Sequence, residues 1–366
     1  MNFDGAETAK AEIFLEAFGF SAIASPASAD DAAGPVFLPL PDTAPYDRIL
    51  EARMRKRITA EEGIAIGTLG QDGHNRNPDA LKLGIFIQHE RLRSHPIVEK
   101  ALGIARGEAR IIFTGPIRTR EAVNGNRCRP LKIGGSVGHH RVTAGTLGCF
   151  CRSRTGGGIG VLSNNHILAD TNKGSPGDII LQPGHSDGGR LSERTSHIGT
   201  LDRHVTINNG PGTTNVVDCA FASLLNLIEY NAHEVCDPLD PTRRWAIGAL
   251  ETQVVPGDAV RKVGRTTGFT AGRIKATRVN NVVVQMSFDT GWTIARFDNQ
   301  ISIEGSGKPF SERGDSGAVI FTSDGRPFGL LFAGTDGTRG TAAALTYANR
   351  LDSVLAALDI EIYTSA

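Results

Sequence analysis

GTLGCFCRSRTGGGIGVLSNNHILAD, residues 145–170, reads as a strand, a glycine-rich hairpin and a second strand, with His166 just beyond the second strand's end. Short Val, Ile and Leu runs between clusters of Gly, Asn, Asp and Pro mark a β-barrel or sandwich. That character extends from about Val137 to about Leu345, after which TYANRLDSVLAALDI supplies a closing amphipathic helix. Cys149 and Cys151 fall on one face if their segment is a strand, because side chains there alternate with period two.

Two further segments carry chemistry. ERGDSGAVIF (312–321) places Ser316 between an acid and a glycine, immediately before the strand-like AVIF. Gly314 frees the backbone to turn, so that its own N–H and that of Ser316 converge on one point as an oxyanion hole. NVVDCAFASL (215–224) puts Asp218 inside an apolar strand, where a carboxylate is costly unless it has a hydrogen-bonding partner. Taken singly these signals are weak, since Gly, Asp and Ser are common turn formers and a lone histidine is usually structural. Together they supply what amide hydrolysis by serine needs: a hydroxyl on a tight turn, an imidazole base, an orienting carboxylate and oxyanion donors. The chain order is His, Asp, Ser, with separations of 52 positions between the first two and 98 between the last two.

That order belongs to chymotrypsin-like enzymes, whereas α/β-hydrolases and subtilisins use others. On these residues the sequence resembles the chymotrypsin-like (trypsin-like) serine peptidases of bacterial type. Ser163 and Ala169 bracket the histidine, Asp218 runs into Cys219-Ala220, and GDAVRKVGRTTGFTAGRI (257–274) resembles the strand pair before the nucleophile in the alpha-lytic group. The likeness covers about residues 137–360. More loosely the whole layout, including RCRPLKIGGSVGHHRVTAGTLGC (127–149), looks like the plant narrow-leaf proteins and their bacterial trypsin-like relatives.

The resemblance implies an all-β chymotrypsin-like double β-barrel, preceded by a small α/β domain and followed by a helix. His166 is then the general base, Asp218 its orienting carboxylate and Ser316 the nucleophile, with the N–H groups of Gly314 and Ser316 as the oxyanion hole and no cofactor or metal. Phe310, six residues before the nucleophile, falls at the floor of the substrate pocket, with Glu312 and Gly334 nearby, which implies an uncharged side chain before the scissile bond. Two features depart from the family. Secreted members tie the histidine loop with a disulfide; Cys149 stands at a plausible first position, but Ile167 follows His166 where the partner is expected. Digestive members pair the acid before the nucleophile with a newly cut N-terminus. Here a whole domain precedes the barrel, so Asp315 is expected to take an internal cation, Arg265 first, unless a cut before Val142 frees an amine.

Composition narrows the partners. The 366 residues include 39 Lys plus Arg and 39 Asp plus Glu, so no global field recruits nucleic acid or an anionic membrane. No apolar stretch is long enough to span a bilayer. Five cysteines, Cys128, Cys149, Cys151, Cys219 and Cys236, form an odd set without disulfide-framework spacing, which points to a reducing, cytoplasmic setting. With His139 and His140 three of them suggest a zinc set, but the spacing matches no standard pattern, and buried thiols are the better reading.

Residues 1–45 read as an arm or linker, with a short amphipathic helix from Ala9 and the stretch SPASADDAAGPVFLPLPDTAP. Residues 46–136 read as a small α/β domain with a regulatory or assembly role, through which a partner or a second copy would act. It comprises a helix over Tyr46–Arg57 with Leu50 and Met54 on one face, then strand 81–88, helix 95–107 and strand 108–115. By the resemblance, residues 137–366 are expected to form the peptidase domain, acting on protein or peptide substrates. The rival functions are an inactive scaffold of the same fold and an esterase with the same triad.

Overall fold

The computed structural model describes residues 1–23, 35–55, 57–70, 81–119, 125–288, 291–335 and 344–364. Residues 24–34 of the expected linker and Lys56 of the expected helix lie outside the described residues. Helix α1 (Phe3–Ile13) starts earlier than the sequence pattern suggests, because the Asn2 side chain caps it by accepting the Gly5 N–H at 2.9 Å. It continues through a wide turn, Phe14–Phe18, and stops at Gly19, whose φ of +69° only glycine adopts cheaply. Helix α2 (Ala44–Met54) turns Ile49 inward and leaves Leu50 and Met54 exposed, so the apolar face differs from the one the spacing suggests.

Strands β1 (Ile64–Gly70) and β2 (Leu81–Ile87) form an antiparallel pair, and helix α3 (Pro96–Ile104) crosses to β3 (Ala109–Phe113), which lies parallel to β2. This is the strand, helix, strand unit read from the sequence. Buried residues of α1 and α3, with Phe14, Phe18, Phe20 and Phe37, form one cluster against Ile64, Ile66, Leu83 and Ile85. Helix α1, within the segment expected to be an arm, is thus part of this core. A two-residue strand follows, β4 (Arg118–Thr119).

The first barrel takes β5 (Ser136–His139), β6 (Gly145–Thr146), β7 (Cys149–Ser153), β8 (Ile159–Ser163), β9 (Ile179–Leu181), β10 (His197–His204) and β11 (Ala220–Leu224). They form one curled sheet in the order β7-β8-β11-β10-β9-β5-β6. One turn of helix, α4 (Asn165–Leu168), follows β8. The second barrel takes β12 (Ala259–Gly264), β13 (Gly268–Asn280), β16 (Gln300–Gly305), β17 (Val319–Thr322), β18 (Pro327–Gly334) and β19 (Leu345–Arg350). Pairing runs β12-β13-β16-β19-β18-β17 and back to β12, a closed ring of strands with no free edge. The hairpin of β14 (Val282–Phe288) and β15 (Gly291–Phe297) leaves that ring, and β4 bridges β14 to β18. The fold is a chymotrypsin-like double β-barrel.

The N-terminal sheet is not a separate layer. The far half of β13 pairs with β1, Ala276 opposite Leu69 and Asn280 opposite Ile66, so β1-β2-β3 extends the second barrel's sheet. At the other end TYANR belongs to β19, and helix α5 (Leu351–Leu358) begins five residues later than the amphipathic pattern suggests. A last strand, β20 (Ile360–Ile362), returns to β7 in the first barrel. Among the described residues no helix is long and apolar enough to cross a membrane.

Candidate active site

His166 sits in the single turn α4, where the chain leaves β8 and must reverse. Its backbone N–H donates to Asp218 Oδ1 at 3.2 Å, and its Nδ1 lies 2.5 Å from Asp218 Oδ2. A carboxylate accepts only, so in the neutral imidazole Nδ1 carries the proton and Nε2 the lone pair. Asp218 lies two residues before β11 and not within a strand, and it is completely buried. Its backbone is pinned from both sides: its carbonyl accepts from Asn164 Nδ2 at 2.8 Å and its N–H donates to Asn349 Oδ1 at 2.9 Å. Asn349 Nδ2 in turn donates to Gln300 Oε1 at 2.7 Å, which links the first barrel's acid to two strands of the second. Sequence reasoning missed Asn164, Asn349 and Gln300; Asn164, two residues before the histidine, was the one with a local signal.

Ser316 lies between two tight turns. Asp315 N–H donates to Glu312 O at 3.1 Å and Ala318 N–H to Asp315 O at 3.0 Å, with Gly314 at φ +100° and Gly317 at φ +94°. Gly317 is also required by space: a Cβ there would lie 2.0 Å from Ser163 Oγ and 2.3 Å from Thr146 O. Thr146 ties the turn to the first barrel, its N–H donating to Ser316 O at 2.7 Å and its hydroxyl to Gly314 O at 2.9 Å. Ser163 Oγ donates to Thr146 O at 2.8 Å, three residues before His166. The histidine turn and the serine turn are therefore both anchored to Thr146, at the seam between barrels. In this arrangement Ser316 Oγ faces Phe332 O at 3.5 Å, while His166 Nε2 is buried without a hydrogen-bond partner among the described residues. The His166–Asp218 contact is made; a His166–Ser316 hydrogen bond is not.

Asp315 is where the sequence reading needs correction. Its carboxylate is fully buried, and the cation beside it is Lys262, with Nζ 3.2 Å from Oδ2. Oδ1 also accepts from the N–H groups of Thr266 and Thr267, and Oδ2 from Thr267 Oγ1 at 2.7 Å and Glu312 N–H at 3.0 Å. Burial pushes this carboxyl up, but the Lys262 ammonium, the Thr267 hydroxyl and the backbone donors outweigh it and hold it below the usual carboxylate range. Arg265, the expected partner, instead forks onto Asp187, also buried, which accepts from Ser136 Oγ as well. Arg265 points away from Asp315 because consecutive side chains at the end of β12 alternate in direction, and its backbone N–H is engaged by Thr146 Oγ1 at 3.1 Å. Lys262, three residues earlier in the strand AVRKVG, is the cation that the sequence reading passed over.

The expected pocket residues differ in burial. Phe310 is a core residue, packed with Val260, Ile274, Ile303 and Ala318 and lying 5.6 Å beneath the Lys262 ammonium, not the floor of an open pocket. Glu312 is exposed on the serine turn, and Gly334 is buried at the end of β18, paired with Thr346 and Arg118. Of the residues weighed as a zinc set, His139 Nε2 bonds Asp178 at 3.0 Å, and Cys149 and Cys151 face each other at 3.6 Å inside the core. No cluster of three or more metal-ligating side chains occurs among the described residues.

A family model described as the Nal1 C-terminal domain matches residues 118–362. The chain belongs to the Nal1 C-terminal domain family. The match takes in β4, both barrels, α5 and β20, and accords with the likeness to the narrow-leaf proteins read from the sequence. No curated protein matches the sequence. Among solved structures the chain is similar to Thermobifida fusca protease A, at 15% identity and a TM-score of 0.43, covering 64% of this chain and 98% of that one. It is also similar to Cellulomonas bogoriensis chymotrypsin, at 17% identity and a TM-score of 0.42, with 64% and 98% covered. A glutamic-acid-specific serine protease that uses a histidine triad in substrate binding aligns at 19% identity and a TM-score of 0.43, with 64% and 100% covered.

Proposed function

We propose that this protein is a serine endopeptidase acting on peptide or protein substrates through His166, Asp218 and Ser316. The observation that carries this reading is the state of His166: Nδ1 is tied to a buried carboxylate, and Nε2 keeps a lone pair that no described residue uses. In the reaction, Ser316 Oγ turns from Phe332 O, attacks the scissile carbonyl carbon and passes its proton to Nε2. The N–H groups of Gly314 and Ser316 hold the resulting oxyanion. Collapse breaks the C–N bond as His166 returns the proton to the leaving amine, and water then repeats the sequence on the acyl-enzyme. Asp218 stabilises the imidazolium, and the Lys262–Asp315 pair fixes the turn that carries the nucleophile.

A second reading, a peptide-binding protein that does not hydrolyse, is favoured by one feature, the unmade contact between His166 and Ser316. Labelling with a fluorophosphonate separates the two: a peptidase labels at Ser316 and the Ser316→Ala protein does not, whereas a scaffold labels in neither. Cleavage of a peptide library, against ester substrates alone, separates a peptidase from an esterase. The five free thiols support a reducing, cytoplasmic setting for this activity.

A further inference from the structure

Strand β18 changes partners beside the nucleophile. β17 pairs with it from Phe321 opposite Pro327 up to Val319 opposite Leu330. Gly317 N–H then reaches Leu331 O at 2.8 Å and Ser316 Oγ reaches Phe332 O. The next two residues on the same edge, Ala333 and Gly334, are paired antiparallel with Thr119 and Arg118 of β4. Going from Arg118 to Thr119, the chain advances along β18 towards Phe332 and the serine. β17, the nucleophile turn and β4 thus lie in succession along one strand edge.

An extended peptide gains affinity by adding its backbone to such an edge, and an edge running up to a nucleophile sets which carbonyl arrives there. In this protein that edge is occupied by the protein itself. The occupant is held from behind: Ile117 is buried, its N–H donates to Gln88 Oε1 at 3.2 Å, and its carbonyl accepts from Gln285 N–H at 3.3 Å. Gln88 follows β2, so the hold comes from the N-terminal sheet. Ser316 has no exposed surface and His166 Nε2 is buried, as a covered site requires.

We propose that β4 is an intramolecular occupant of the substrate-binding edge, so that a peptide reaches Ser316 only by displacing Arg118–Thr119 from β18. The N-terminal α/β unit is then the latch on the site, through Gln88 and Ile117. This inference rests on the peptidase reading for its consequence, but its test does not depend on turnover.

The test compares the full-length protein with Ile117→Ala, which shortens the anchor, and Thr119→Pro, which removes a strand N–H and fixes φ. Binding of a fluorescent peptide copying residues 115–124, GPIRTREAVN, is measured in the Ser316→Ala background, and fluorophosphonate labelling in the Ser316 background. The expected result is at least about tenfold tighter peptide binding and about tenfold faster labelling in both variants, as when an internal competitor for the edge is weakened by about 1.4 kcal/mol. Tighter binding with no labelling in any protein would sink the peptidase reading and leave the strand assignment standing. Equal binding in folded variants and wild type would overturn the assignment. If either variant fails to unfold cooperatively, hydrogen exchange of residues 117–119 in the unaltered protein decides: loss of protection on saturating peptide supports displacement, and unchanged protection with peptide bound refutes it.

Discussion

Replacing Lys262 with Met removes the cation at Asp315 while nearly keeping its volume. At 3.2 Å, with both side chains fully buried, the pair's Coulomb energy is about 5 kcal/mol at an effective dielectric of ~20. Removing one member of a buried pair typically costs about 3–5 kcal/mol. Here the remaining charge keeps four other donors, from Thr266, Thr267 and Glu312, so the lower end applies. A loss of about 3 kcal/mol lowers the melting temperature by roughly 4 °C, taking an unfolding entropy of about 2.1 cal/mol/K per residue over the 366 residues. The pH dependence adds a signature. Asp315's carboxyl is depressed in the folded protein, so its stabilising contribution is complete above the unfolded value, about pH 4, and is lost as pH falls through the lower folded value. Without Lys262, burial dominates and lifts the folded value above the unfolded one, so the acid-induced loss contributed by Asp315 disappears and stability instead recovers as pH falls and the carboxyl is protonated. Calorimetry from acid to neutral pH reads both effects, and Arg265→Met, which breaks the separate pair with Asp187, must leave the Asp315 limb in place. A Lys262→Met protein with unchanged melting temperature and acid limb refutes the assignment of Lys262 as Asp315's counter-ion.

Ser316→Ala and His166→Ala are each expected to abolish hydrolysis and fluorophosphonate labelling while circular dichroism stays native, and Asp218→Asn to lose about 10⁴ in turnover by favouring the wrong imidazole tautomer. Gly317→Ala forces a Cβ onto Ser163 Oγ and Thr146 O at φ +94°. Strain of this kind costs about 1–3 kcal/mol before the clash is counted, and urea unfolding with a labelling assay is expected to show reduced stability and slower labelling together. Burial pushes the Cys151 thiol well up, and burial followed by the Asp218 charge does the same for Cys219. Iodoacetamide at neutral pH is therefore expected to modify the half-buried Cys128 and Cys236 in the native protein and to reach Cys149, Cys151 and Cys219 only after unfolding, as peptide mapping would show.

Local signals were the legible ones. The hairpin of β7 and β8, the hairpin of β12 and β13, the β2-α3-β3 unit and the turn around Ser316 each declare themselves within a few residues, through glycine placement and alternation. The neighbourhood of His166 and Asp218 was legible too, because a buried acid demands a partner and the histidine was the candidate. What escaped was decided by long-range direction. Lys262 and Arg265 lie three residues apart in sequence, and only the folded path of β12 and the turn after it sends one to Asp315 and the other to Asp187. Asn349 and Gln300 are ordinary polar residues in strands until the barrels meet and aim Asn349 at the Asp218 N–H, with Gln300 holding Asn349 from behind. Ile49, not Leu50, faces inward on α2 because the neighbouring sheet and not the helix pattern chooses the face. TYANR reads as helix by its spacing, yet β16 and β18 claim it as the strand between them.

The shared strand β13 has a consequence for how the chain is made. Asn281, at its end, donates to the carbonyl of Ile64, 217 residues earlier. At a synthesis rate of about 5–20 residues per second, the outer edge of β1 therefore waits roughly 10–40 s for the strand that covers it. During that interval a buried-to-be row of backbone donors and acceptors, in a segment as apolar as IAIGTLG, is open to any other extended chain. Expression yield should then depend on the speed of elongation and on holdase chaperones more than on the stability of the finished protein.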